Sequence, residues 1–193
     1  EWVDSKQLTF HIQRYPGVNL ELDYAGKQLY LHNRRNPEET TKVTIFIAAL
    51  TYSDYFYAEG MTECDIRNWI RVNNNALAYF GGITPTVTPD NCKVAVAKNK
   101  DWINPILNKD FQAWAEHNDT VLTPAKVKAP RWKPVVEGHV KIVTMHILVD
   151  MEDMTFYSLD DLNRVLMEKV NEENRKPFEG LTYSRYDLFT TEE

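Results

Sequence analysis

VNLELDYAGK, residues 18–27, is the stretch from which the fold is read. Val18, Leu20 and Leu22 alternate with Asn19, Glu21 and Asp23, the two-residue period of a half-buried strand, and Ala25-Gly26-Lys27 supplies a turn. Aspartate is depleted in strands, so Asp23 among apolar neighbours needs a reason. Two further acids suggest one. Asp90 follows a short apolar-proline strand in PTVTPDN, and Glu137 lies in the first turn of a predicted helix, just after the basic stretch KVKAPRWK. The expectation is that the three carboxylates meet at one divalent-metal site.

Outward from that strand, Gln28–His32 alternates again and reads as its hairpin partner. Residues 33–40 are a polar loop, Lys42–Leu50 a nearly all-apolar central strand, and Tyr52–Gly60 a third strand rich in aromatics that pack the sheet. A helix is expected from about Glu63 to Phe80, with Thr62 as cap, Asp65 as its capping-box partner and Gly81-Gly82 as its end. Thr86–Thr88 is a short strand delivering Asp90. Phe111–His117 reads as a short helix and Thr120–Thr123 as a buried fifth strand. Pro134 suits the first position of a helix running to about Asp150. Ser158 opens a last helix, with Asp161 as box partner, and KPFEGLTYSRYDLF reads as an extended arm.

This order predicts an α/β fold, a mixed sheet of about five strands flanked by helices. It accommodates a ribonuclease-H-like arrangement, and the periodicity fits several other α/β folds equally well. Residues 1–15 are taken as an entry segment, 16–152 as the core, and 153–193 as a C-terminal helix and arm leading to a missing domain. The chain opens on Glu1 rather than methionine and is read as a piece of something longer. No apolar run approaches the roughly 20 residues of a membrane span. Cys64 and Cys92 make no CxxC pair and fit a reducing compartment.

The net charge of −6 argues against nucleic acid, which normally binds a basic excess. Distribution says more than the sum: Lys126, Lys128, Arg131 and Lys133 lie together with no acid among them. A basic stripe beside a carboxylate cluster is consistent with a metal-dependent nuclease core. Phosphodiester chemistry uses hard oxygen ligands to hold one or two Mg²⁺ ions, about 3.5–4 Å apart when there are two. Each acid alone has a plainer role. Asp23 suits a solvent-facing strand position, Asp90 an ordinary turn, and Glu137 a complement to a helix N-terminus. It is the joint pattern that favours metal.

The chain resembles transposases of the IstA type, from the insertion-sequence family numbered twenty-one, within the DDE and retroviral-integrase superfamily. LDYAGK around Asp23, LAYFGGITPTVTPDNCKVAV around Asp90 and VVEGHVK around Glu137 carry the resemblance, and FYSLDDLNRVLMEKVNEENRKPF resembles the segment after that family's core. The separations of 67 and 47 residues between the acids are similar to the family's. Trp132, Pro134 and Gly138 depart from the pattern usual around its glutamate.

The resemblance implies a ribonuclease-H-like core that transposes DNA. Asp23, Asp90 and Glu137 would hold Mg²⁺ or Mn²⁺, two ions per site, and DNA 3′ ends would be cut and then joined to a target. It further implies assembly as a homo-oligomer on DNA, a separate ATPase helper, no membrane, and a bacterial cytoplasmic, nucleoid-associated location. Lys141, one turn after Glu137, is expected to contact the DNA backbone, with Lys93, Arg131 and Lys133 as further phosphate candidates. A ribonuclease-H-like nuclease without strand transfer, an inactive DNA-binding relative and, more distantly, a metal-free glycosidase remain alternatives.

Other signals fail. His11, His32, His117, His139 and His146 make no zinc spacing with the cysteines and read as ordinary histidines. There is no GxxxxGK[ST] loop, so ATP use falls to a partner, and no GxSxG elbow.

Overall fold

A computed structural model describes residues 13–36, 38–89, 96–98, 106–124 and 134–193, with backbone alone for 96–98, 106 and 134–137. Strand β1 (Asn19–Tyr24) runs antiparallel to β3 (Thr40–Leu50) on one side and parallel to β5 (Thr86–Pro89) on the other. The parallel edge continues to β8 (Val121–Leu122), and β4 (Phe56–Met61) pairs with the other side of β3. With β2 (Leu29–His32) this makes a six-stranded mixed sheet. A separate hairpin joins β6 (Val96–Lys98) to β7 (Ile106–Leu107).

Alternation sorts the side chains into two cores. Leu20 and Leu22 of β1 join Phe46, Ala48 and Leu50 of β3 on one face, under α1 (Ile66–Phe80) and α2 (Lys109–His117). Val43, Ile45, Ile47 and Ala49 of β3 face the opposite way. They meet a continuous helical run made of α3 (Pro134–Ile142), a π-helical stretch Val143–Leu148 and α4 (Val149–Glu152), together with α5 (Leu159–Arg175). β3 is therefore apolar on both faces, as its sequence requires.

β4 lies at an edge of this sheet, yet the outward backbone groups of Phe56 and Gly60 are occupied. Asn174 of α5 accepts from Phe56 N–H (3.3 Å) and donates to Phe56 O (2.7 Å). Asn163 does the same at Gly60, at 2.6 and 3.1 Å. Two side-chain amides thus stand where a further strand would pair, which blunts an edge otherwise open to association. Gly60 permits the approach: a Cβ there would come within 2.7 Å of Val43 Cγ1 and 3.0 Å of Asn163 Oδ1.

Some boundaries differ from the sequence reading. β2 pairs with the first residues of β3, not with β1. Asp65, not Thr62, is the N-cap of α1, accepting from Asn68 N at 2.7 Å, while Gly81 closes the helix at φ 77° as expected. β8 is an edge strand, with Val121 62% exposed, rather than a buried one. The helix expected from Pro134 to Asp150 contains the π-helical stretch, which no 3.6-residue period reveals. The end of the chain is not an extended arm: Ser184 and Asp187 form a capping box that opens α6 (Arg185–Glu192), and Phe189 stacks on Tyr55 at 4.3 Å.

Candidate active site at the carboxyl ends of β1 and β5

In open α/β sheets, ligands bind beyond the carboxyl ends of parallel strands. β1 and β5 make such an edge. Their register sets Leu22 beside Pro89, so Asp23 is the next residue within β1 and Asp90 the next in sequence after β5. Asp23 itself lies opposite Ile47 of β3, is half-buried, and accepts a hydrogen bond from Tyr24 N–H at 2.7 Å. Strand alternation puts Asn19, Glu21 and Asp23 on one sheet face, toward the side covered by α3. Glu21 is a second acid on this face, 5% exposed, which the sequence reading passed over.

The remaining expected residues divide sharply. Asp90, Lys93, Arg131 and Lys133 lie outside the described residues. Glu137 is described by its backbone alone, within α3, which packs against β1 and β3. Lys141, a turn later, is exposed and forms no ion pair among the described residues. Also among the described residues, no three His, Cys, Asp or Glu side chains gather as a metal cluster.

Two charged contacts tie the helices to their surroundings. Lys27 Nζ, in the turn after β1, lies 2.5 Å from Glu152 Oε2 at the end of α4. Near the C-terminal end of α5, buried Glu173 is surrounded by Lys176 (2.6 Å), Arg185 (3.9 Å) and His146 (3.6 Å). Burial pushes its carboxyl up, but the neighbours, Lys176 foremost and then Arg185, hold it below its ordinary 4.5.

His139 is the residue that sequence reasoning most undervalued. It is 2% exposed, and its Nε2 lies 2.7 Å from the carbonyl oxygen of Asp54, in the turn between β3 and β4. A single histidine without metal-ligand spacing carries no signal of this; its only clue was its place two residues after Glu137.

No family model matches the chain. Its architecture is that of a retroviral integrase catalytic core. The HTLV-2 integrase core in complex with magnesium superposes with a TM-score of 0.62 over 91% of this chain and 97% of that one, at 12% identity. A simian T-cell lymphotropic virus intasome gives a TM-score of 0.69 over 94% of this chain and 58% of that chain, at 15% identity.

In sequence the chain is similar to insertion-sequence transposases. It is 32% identical over 182 residues to a Sinorhizobium fredii protein named as a transposase, covering 94% of this chain and 35% of the relative. It is 33% identical over 180 residues to one named for insertion sequence IS1162 of Pseudomonas fluorescens, covering 92% and 31%. The transposase of IS21 from Pseudomonas aeruginosa is 26% identical over 141 residues, covering 73% and 35%. The chain thus spans about a third of the length of these relatives.

Proposed function

We propose that this chain is the catalytic core of a DDE transposase that cuts DNA at the 3′ ends of a mobile element and joins those ends to target DNA. Asp23, Asp90 and Glu137 are its catalytic residues and metal ligands. One observation supports the proposal: the parallel pairing that sets Leu22 beside Pro89, so that β1, which bears Asp23, runs beside β5, which Asp90 follows in sequence. The packing of α3, which bears Glu137, against β1 is consistent with it.

The donor set fits Mg²⁺ or Mn²⁺, because three carboxylates offer only hard oxygens and Asp23 stands half-exposed at a strand end. When bound, such ions supply Lewis-acid stabilisation and lower the pKa of the attacking water or 3′-hydroxyl. The protein's own part is to hold three like charges together at a fixed edge, and to bring the DNA to them. Lys141, exposed one turn beyond Glu137, would pair with a backbone phosphate, and Lys93, Arg131 and Lys133 would extend that contact. Two ions per site, assembly as a homo-oligomer on DNA, a separate ATPase helper and a nucleoid-associated cytoplasmic location complete the proposal. No described helix is long and apolar enough to cross a membrane.

The test is strand transfer by the full-length transposase with pre-cut element ends. Asp23→Asn should abolish both joining and cleavage. Transfer that survives the substitution would overturn the assignment; cleavage by the wild type without any joining would favour a nuclease.

A further inference from the structure

Helix α3 is poorly suited to stand alone. PVVEGHVKI, the opening of the continuous run to Glu152, holds four β-branched residues and one glycine, all poor helix formers. Its place on the sheet must come from tertiary contacts. Val140 and Ile142 contribute partly buried apolar surface. Among the described residues, His139 makes a polar contact.

That contact is directional. The Asp54 carbonyl can only accept, so the ring nitrogen Nε2 carries the proton and donates to it at 2.7 Å. The ring also packs on Phe56 of β4, with centroids 5.2 Å apart. Asp54 adopts φ 58°, a left-handed conformation unfavourable for a residue with a side chain. The turn is closed behind it by Leu50 N–H donating to Tyr55 O at 2.9 Å. The acceptor is therefore held by the turn's own backbone.

We propose that His139 is a positioning residue for Glu137: by fastening α3 to the turn between β3 and β4, it sets where Glu137 stands relative to Asp23. This rests on the catalytic role proposed above for Glu137. Two residues along a helix amount to about 3 Å of rise and roughly 200° of rotation, so pinning one residue fixes both the height and the roll of the other. The consequence is large because a displacement of about 1 Å at a catalytic group can cost roughly 100-fold in rate.

The test compares His139→Phe, which keeps a ring against Phe56 but has no donor, with His139→Gln, whose amide N–H reaches toward the same carbonyl. Mn²⁺ alone is titrated into the 193-residue chain, with Asp23→Asn as reference. His139→Phe should weaken Mn²⁺ binding about 10- to 100-fold, as loss of a residue supporting a metal ligand does. Amide exchange across residues 138–142 should accelerate with it. His139→Gln should recover most of the affinity. If His139→Phe binds Mn²⁺ as the wild type does while Asp23→Asn does not, the positioning role is wrong and the site stands. A folded His139→Gln as weak as Asp23→Asn would also overturn the role. If wild type and Asp23→Asn bind Mn²⁺ equally, both proposals fall.

Discussion

Asn174→Ala should unfold the protein far more easily than its peripheral place on α5 suggests. Asn174 is 1% exposed, and its amide holds the Phe56 N–H at 3.3 Å and the Phe56 carbonyl at 2.7 Å. Truncation strips partners from two backbone groups in a buried strand, each worth about 1–3 kcal/mol when left bare. The 3.3 Å bond is weak and counts at the low end, giving ~3 kcal/mol in total. At roughly 2–4 °C per kcal/mol for a chain of this size, Tm should fall by about 6–12 °C.

Urea unfolding followed by circular dichroism gives the free energy directly. Asn163→Ala removes the equivalent clamp at Gly60, from a less buried position, so its loss should be smaller. The two asparagines lie three turns apart, about 16 Å along the helix, and their effects should add within ~0.5 kcal/mol. A loss below about 1 kcal/mol for Asn174→Ala would refute the idea that these amides replace a strand partner.

Lys141→Ala should weaken DNA binding and lower the slope of log affinity against log salt by about one unit; an unchanged slope removes Lys141 from the phosphate contacts. Glu173→Gln should destabilise the protein at neutral pH but progressively less in acid. The folded carboxyl titrates below its ordinary 4.5, so its contribution is present above that value and disappears as pH falls through the lower folded one. A wild-type-minus-mutant difference that grows as pH falls from about 5 toward 3 would show that the surrounding cations do not stabilise this carboxylate.

The parts of the fold legible in the sequence are those where one period dominates. The alternation in β1 and the unbroken apolar run of β3 announced a strand half-buried and a strand buried on both faces, and Gly81 announced the end of α1. The partner of β2 was not legible, because pairing is decided by length. Eleven residues of β3 extend about 36 Å, longer than β1, and leave room for β2 beside its first turn of chain. Helix α6 was missed because RYDLFTTE has little apolar stripe; the Ser184–Asp187 box was its available signal.

At the site, Asp23 showed itself as an acid where a strand disfavours one, and the structure sets it opposite Ile47, one residue beyond the parallel pairing of β1 with β5. His139 could not show itself. Its meaning lies in a carbonyl 85 residues away, presented by a left-handed Asp54 that nothing in the local sequence requires. Asp90 and the basic candidates Lys93, Arg131 and Lys133 fall outside the described residues, so their grouping rests on the resemblance and on the strand register.

A crystal structure grown with Mn²⁺ and phased on its anomalous signal tests the three-carboxylate site most directly. It should show the ion between Asp23, Asp90 and Glu137, with carboxylate oxygens roughly 2.0–2.2 Å away, as expected for a small octahedral cation. Mn²⁺ bound elsewhere, with an ordered Asp90 or Glu137 too far from Asp23 to share an ion, would contradict it.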